Sequence, residues 1–81
     1  MTDILTEIRS ALDEATRGSI DASTVDAETD LIARGMSSHQ IVQWMLGIEE
    51  ALDIEFEDEQ LNRDTFRTID SVYKAVDTLL G

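Results

Sequence analysis

The chain has 81 residues with no cysteine and no proline, and its 18 acidic side chains outnumber 6 basic ones to give a formal net charge of −12. This length suits one small domain, residues 1–81, whose core buries only about 60% of the unfolded chain's surface. Without cysteine, disulfides, thiolate-bound zinc and a cysteine nucleophile are excluded. The negative charge disfavours nucleic acid and anionic membranes and favours a basic protein partner.

No apolar stretch is long enough to span a membrane, and no basic segment followed by an apolar one marks a secretory signal at the start of the chain. We therefore expect a cytoplasmic protein. We also expect it to be a monomer. Apolar residues recur at helical spacing, and the alternation typical of strands is rare. The sequence predicts an all-α protein.

The first predicted helix runs from Thr2 to about Thr16. Its apolar residues form a one-sided stripe at spacings of three and four. Thr2 or Asp3 provides the N-cap, and Gly18 ends the helix. Residues 18–37 then mix Gly, Ser, Thr and Asp with isolated apolar residues, which predicts a long ordered loop anchored to the core.

The second predicted helix begins at Ser37, because a Ser at the N-cap with Gln40 three residues later matches a capping box. Each of these side chains then satisfies a free backbone N–H of the first turn. The helix continues along a wide apolar face to near Asp53. We expect it to be the central helix of the domain.

Two further elements follow. Residues 57–63 predict one short helical turn carried by Leu61, with Phe66 as a large apolar anchor beside it. A last amphipathic helix begins at Ile69 and is closed by Gly81. Three long helices and one short one predict a small four-helix bundle with the long loop between helices 1 and 2.

Ser38 occupies the first helical position after the cap, where its hydroxyl is predicted to point outward at the positive end of the helix dipole. Free N–H groups and the dipole stabilise a phosphate at such a place by about 0.3 to 1 kcal/mol. The residues alone leave two interpretations open. Ser38 is an attachment point for a phosphate or phosphodiester, or it is half of an ordinary polar pair at a helix start.

The segment of residues 30–69, "DLIARGMSSHQIVQWMLGIEEALDIEFEDEQLNRDTFRTI", resembles the core of acyl and peptidyl carrier proteins. The family pattern is G-x-D-S-L followed by a helix that leads into E-E-x-[FL]-[DG]-I-x-[IF]. Alignment of "EEALDIEF" with this pattern puts the modified serine of the family on Ser38, three residues after Gly35. The resemblance extends over most of the chain and implies a bundle of the acyl-carrier type.

In such families this serine carries 4′-phosphopantetheine, which a phosphopantetheinyl transferase takes from coenzyme A, and the terminal thiol holds the cargo as a thioester. The resemblance thus implies a carrier and not an enzyme. The combination of "GMSS", "WMLGIEEALDIEF" and "LNRDTFRTI" is most similar to stand-alone bacterial aminoacyl carrier proteins. Ligases resembling class II aminoacyl-tRNA synthetases load such carriers, and a downstream acceptor enzyme receives the cargo.

Two residues depart from the family pattern: Ser37 replaces the usual Asp, and His39 replaces the usual Leu. Ser37 preserves the capping function without the charge, which is expected to weaken the contact with the transferase and its metal. His39 replaces an apolar contact that partner enzymes commonly use.

A partner-binding surface is predicted around Ser38. Trp44 is expected at the margin of the apolar stripe, where its indole ring either packs against the loop or contacts a partner. The acidic side chains either steer a basic partner or form only a solvated face. The predicted partner-binding residues are Met36, His39, Gln43, Trp44, Glu49 and Glu50.

No catalytic residue and no metal site is predicted. His39, the sole histidine, directly follows Ser38 on a helix, where successive side chains point about 100° apart, so it cannot readily act as a base for Ser38. The acidic series from Asp53 fails as a calcium loop, because Asp58 and Asp64 stand where Gly and a bidentate Glu are required.

Three functions are compatible with the sequence. The first is a phosphopantetheine-dependent carrier that holds an activated amino acid or acyl group and delivers it to partner enzymes. The second is an acyl carrier for fatty-acid or polyketide-type synthesis. The third is a cofactor-free acidic adaptor that binds a basic protein and gives Ser38 no role.

Overall fold

The computed structural model describes residues 3–81, which form three α-helices joined by irregular segments. Helix α1 spans Ile4–Thr16, α2 spans Ser38–Leu52 and α3 spans Ile69–Leu80, and a single 3₁₀ turn lies at Asp58–Gln60. These residues contain no strand, and none of their helices is both long and apolar enough to cross a membrane. The predicted all-α class is confirmed.

Helix α1 has a side-chain cap at its start and a left-handed turn at its end. The Asp3 carboxylate accepts a 3.1 Å hydrogen bond from a backbone N–H of the first turn, whereas Thr2, the other predicted cap, lies outside the described residues. Arg17 and Gly18 both have positive φ, at 52° and 79°. Glycine adopts this conformation without steric cost, which explains why the helix ends where Gly18 predicts.

The segment of residues 17–37 connects α1 to α2 without regular helix or strand. It is tied to the start of α3 by two backbone hydrogen bonds. The Leu31 N–H donates to the Arg67 carbonyl at 2.7 Å, and the Asp70 N–H donates to the Ala27 carbonyl at 2.9 Å. Four apolar side chains also anchor the segment in the core: Ile20, Ala22, Leu31 and Met36.

An exposed ion pair joins the same two regions. Arg67 Nη1 lies 3.1 Å from Asp30 Oδ2, and Arg67 Nη2 lies 3.3 Å from Asp64 Oδ1. The backbone N–H of Ala33 and, less strongly, the Arg67 guanidinium lower the pKa of Asp30. Because solvent screens an exposed pair, the buried apolar anchors contribute more to holding the segment.

The centre of the bundle is an aromatic cluster of Trp44, Phe56 and Phe66. The Trp44 and Phe66 rings meet edge to face with centroids 6.0 Å apart, and the Phe56 and Phe66 rings do so at 5.3 Å. Each such pair adds about 0.5 to 1.5 kcal/mol beyond its area burial. The Trp44 indole N–H also donates to the Ile8 carbonyl at 3.0 Å, so the cluster joins α2 to α1.

Helix α3 begins after Thr68, whose hydroxyl accepts a hydrogen bond from the Ser71 N–H at 3.0 Å. It ends where the Gly81 N–H donates to the Asp77 carbonyl at 2.8 Å. The predicted start at Ile69 and the closing glycine are therefore confirmed.

The short helical turn predicted over residues 57–63 is a 3₁₀ turn of three residues, Asp58–Gln60. The Gln60 side chain accepts a 2.9 Å hydrogen bond from the Glu57 N–H and so closes the turn. Leu61, predicted to anchor it, is instead 46% exposed. Phe66, which is 2% exposed and contacts both Trp44 and Phe56, anchors this region in the core.

Candidate functional site

The N-terminal end of α2 is organised by a capping box. The Gln40 N–H donates to Ser37 Oγ at 3.1 Å, and the Ser37 N–H donates to Gln40 Oε1 at 3.0 Å. This arrangement confirms the predicted cap. The Ser37 hydroxyl oxygen is consequently engaged in capping the helix.

Ser38 is the first residue of α2, and it is exposed. Neither hydrogen bond of the capping box involves its hydroxyl. The first turn of the helix contains no acidic residue. A free hydroxyl therefore stands at the positive end of a fifteen-residue helix, where a negatively charged substituent is stabilised.

The chain reaches this end of α2 through a tight bend at Gly35. Its φ of 100° lies in the left-handed region that favours glycine. The Met36 N–H donates to the Leu31 carbonyl at 3.2 Å, and the Met36 side chain is only 3% exposed. The bend and the buried methionine together fix where the helix starts.

Ser38 also lines a surface cleft of about 320 Å³ between α2 and residues 61–66. Apolar side chains form most of its wall, and two of them, Val42 and Leu61, are each 46% exposed. Asn62 shares the wall, and its side chain accepts a 2.9 Å hydrogen bond from the Thr65 N–H that shapes this turn. The apolar side chains lining the cleft are Ile41, Val42, Met45, Leu61 and Phe66.

Arg63 is the positively charged residue that lines this cleft. Across residues 3–81 the salt bridges belong to Arg67 and Lys74, and Arg9 donates to backbone carbonyls of the 17–37 segment. The carboxylate beside Arg63 in sequence, Asp64, is paired with Arg67. Arg63 therefore has no acidic partner in the described chain, despite the large excess of acids.

Three of the predicted partner-binding residues are exposed on α2: His39, Gln43 and Glu50. Two others, Met36 and Trp44, are buried at 3% and 0% exposure, so this structure does not present them at the surface and their contact with a partner stays a prediction. Met36 is buried because it anchors the end of the 17–37 segment. Trp44 is buried because it lies on the inner face of α2, within the aromatic cluster.

Glu49 and Glu50 occupy different environments. Glu49 is half-buried, and its Oε2 accepts a 2.8 Å hydrogen bond from the Phe56 N–H. Its carboxylate thus supports the turn after α2. Glu50 is exposed and lines a shallow groove between α1 and α2 together with Glu14 and Leu46.

Sequence reasoning missed several surface features of this region. Val42 and Leu46, two apolar residues of α2, are 46% and 49% exposed. The apolar face of α2 is wider than the part of it that α1 and residues 56–66 cover. The width of this face is the signal in the sequence that could have indicated exposed apolar residues. Nothing local in the sequence indicated that Arg63 and Ser38 line one cleft.

No family model matches the chain. The fold is, however, shared with solved carrier proteins. One of these is the carrier protein from Agrobacterium tumefaciens, in a crystal structure with an engineered Bradyrhizobium japonicum glycine:[carrier protein] ligase and ATP. It superposes on this chain with a TM-score of 0.87 and is 41% identical to it, and the match covers 94% of this chain and 99% of that chain. The corresponding complex with AMP gives a TM-score of 0.83 and 42% identity over 90% and 97% of the two chains. The class defined by this fold is the carrier proteins.

The family follows from the sequence comparison. The aminoacyl carrier protein of Agrobacterium fabrum (strain C58 / ATCC 33970) is 51% identical over 57 residues, which cover 70% of this chain and 69% of the relative. The chain belongs to the aminoacyl carrier protein family. This confirms the resemblance seen in the sequence.

Proposed function

We propose that the chain is a phosphopantetheine-dependent carrier that holds an activated amino acid, or another acyl group, as a thioester and delivers it to partner enzymes. Ser38 is the attachment residue. The observation that carries the proposal is the exposed, unengaged hydroxyl at the first residue of α2, in a chain of the aminoacyl carrier protein family.

The residues around Ser38 fit a covalently attached phosphodiester. Free backbone N–H groups begin α2, no acid lies in its first turn, and the guanidinium of Arg63 lines the same cleft. When attached, 4′-phosphopantetheine from coenzyme A supplies a terminal thiol that holds the cargo as a thioester. The chain's own contribution is to hold the attachment oxygen in solvent and to offset the phosphodiester charge.

Three partners act in turn in this proposal: a phosphopantetheinyl transferase, an aminoacyl:carrier-protein ligase and a downstream acceptor enzyme. The ligase is supported by the similar carrier proteins in complex with an engineered glycine:[carrier protein] ligase. Successive partners require small, transient interfaces in which charge raises the encounter rate more than the affinity. The exposed side chains of α2 available for such contacts are His39, Val42, Gln43, Leu46 and Glu50.

The proposal treats residues 1–81 as one carrier domain that acts as a cytoplasmic monomer and catalyses no reaction itself. The membership of the chain in the aminoacyl carrier protein family supports this division of labour. Chemistry on the cargo then takes place in the partner enzymes.

The test is to incubate the protein with coenzyme A and a broad-specificity phosphopantetheinyl transferase and to measure its mass. We expect a gain of one phosphopantetheine group in the wild type and none in Ser38→Ala. The matched control is Ser37→Ala, which keeps the hydroxyl at position 38 and is expected to be modified. An unmodified wild type, or a modified Ser38→Ala protein, would refute the proposal; an unmodified chain that still binds its partner would support the acidic adaptor.

A further inference from the structure

Arg63 lies in a turn whose neighbouring residues are held by hydrogen bonds. Asn62 Oδ1 accepts hydrogen bonds from the Thr65 N–H at 2.9 Å and from the Thr65 hydroxyl at 3.1 Å. The Asn62 side-chain nitrogen donates to the Glu59 carbonyl at 2.8 Å, and the Thr65 carbonyl accepts a hydrogen bond from the Ser71 hydroxyl at 2.7 Å. The backbone on both sides of Arg63 is therefore fixed, which holds the base of its side chain at the cleft.

The guanidinium of Arg63 is exposed and has no partner of opposite charge among residues 3–81. The adjacent carboxylate, Asp64, lies 3.3 Å from the guanidinium of Arg67 instead. Acids are not scarce, since the chain has 18 of them. Arg63 shares a mostly apolar cleft with Ser38, so an anion attached to that serine meets a positive charge that the chain itself does not neutralise.

We propose that Arg63 is a positioning residue whose guanidinium pairs with the phosphodiester on Ser38, so that modification ties residues 61–66 to the start of α2. The inference rests on the proposed function and deepens it. A guanidinium suits this role because its planar array of N–H donors binds two phosphate oxygens at once. The apolar side chains that form most of the cleft wall also limit the water that screens the pair.

Two effects of the attached group on stability have opposite signs. If only net charge matters, one more negative charge on a chain of −12 increases self-repulsion and lowers the Tm. If local pairing dominates, modification raises the Tm of a domain of this size by about 1 to 4 °C. The dipole of α2 contributes to this rise equally in all variants at position 63, so a comparison of those variants isolates the guanidinium.

The test measures the Tm of the full chain at low salt before and after complete modification by a broad-specificity transferase and coenzyme A. Mass spectrometry first establishes attachment, and an unmodified wild type refutes the proposed function and this inference with it. We expect modification to raise the Tm of the wild type, and the rise to fall to about half or less in Arg63→Ala. Arg34→Ala is the matched control, because it makes the same change in net charge in a different hollow, and it should keep the full rise. An equal rise in the wild type and Arg63→Ala, or a lower Tm in the modified wild type, would overturn the inference alone.

The unmodified proteins separate pairing from a purely structural role. Arg63→Ala should melt close to the wild type before modification, because Arg63 is exposed and forms no salt bridge in the described chain. The same loss of Tm before and after modification would contradict the inference. Arg63→Gln, which keeps a long polar side chain without the charge, should behave as Arg63→Ala does, and it decides the test if the alanine variant does not fold.

Phosphorus NMR of the modified proteins observes the pairing directly. The chemical shift of the phosphodiester should differ between the wild type and Arg63→Ala, and it should be the same in the wild type and Arg34→Ala. High salt should reduce the difference, because ions screen an exposed pair. Identical phosphorus shifts in the wild type and Arg63→Ala at low salt would show that the guanidinium does not contact the phosphodiester.

Discussion

The two ends of α2 are built in opposite ways. At the N-terminal end, reciprocal side-chain hydrogen bonds cap the helix and no acid lies in the first turn. At the C-terminal end, Glu49 and Glu50 stand in the last turn, Asp53 forms the cap, and no basic residue accompanies them. The helix dipole stabilises anions at the N-terminus and cations at the C-terminus, so the acids of α2 lie at the end where they lower helix stability, and none lies at the end where they would raise it.

Local structure compensates at the acidic end. The Glu49 carboxylate accepts the hydrogen bond of the Phe56 N–H, and the Asp53 N–H donates to the Glu49 carbonyl from a left-handed conformation with φ of 53°. The N-terminal end needs no compensation, since its box is complete without a charge. One end of α2 is thus free to receive a negatively charged substituent, while the other end presents acids at some cost to the stability of the helix.

The largest expected effect on stability is at the acidic end. Glu49→Ala removes the acceptor of a partly buried N–H, which costs about 1 to 3 kcal/mol, while relief of the unfavourable dipole interaction returns about 0.3 to 1 kcal/mol. We therefore expect net destabilisation in urea unfolding. Glu49→Gln, which keeps an acceptor and removes the charge, should be as stable as the wild type or more so. Equal losses in the two variants would show that the charge, and not the hydrogen bond, matters at this end.

The second-largest expected effect on stability is at the capped N-terminal end of α2. Ser37→Ala removes one half of the capping box and is expected to lower the free energy of unfolding by about 0.5 to 2 kcal/mol. Ser38→Ala, at the first helical position, should change it little, because alanine is the best helix former and the Ser38 hydroxyl takes no part in the box. Urea unfolding of the two unmodified variants measures the difference. The reverse ranking would exchange the roles assigned to the two serines.

The smallest expected effect is on the rate at which Ser38 is modified. Arg63→Ala should slow the modification of Ser38 by about two- to fivefold, because it removes the cation that shares the cleft with that serine. Arg34→Ala is the matched control, since it makes the same change in net charge in a different hollow, between turns of the 17–37 segment. The ratio of the two transferase rates at low salt measures the local effect. Equal rates would show that only total charge matters.

Much of the fold could be predicted because its decisive signals are local. The capping box of Ser37 and Gln40, the turn at Gly18 and the start of α3 each depend on residues within about one helical turn. The exposure of Ser38 follows from the same local logic, since a residue directly after an N-cap lies at the open end of the helix. Such features are encoded in a few neighbouring residues.

Burial along α2 was predicted less well. Trp44 lies three residues after Ile41 and four before Ile48, a spacing that puts it on the inner face, yet its size and its polar N–H suggested the margin. Val42 and Leu46 have the composition of core residues and are nearly half exposed. Which part of a wide apolar face is covered depends on where the neighbouring elements pack.

The helices, their caps and the hydroxyl at the start of α2 therefore follow from neighbouring residues alone, because short-range hydrogen bonds and helical periodicity suffice for them. The three-dimensional fold was needed to see that Trp44 and Phe66 fill the core, and that Arg63 and Ser38 line one cleft. These outcomes depend on contacts between residues far apart in the chain. Such contacts are set by how α1, α2 and the segment before α3 share one small volume.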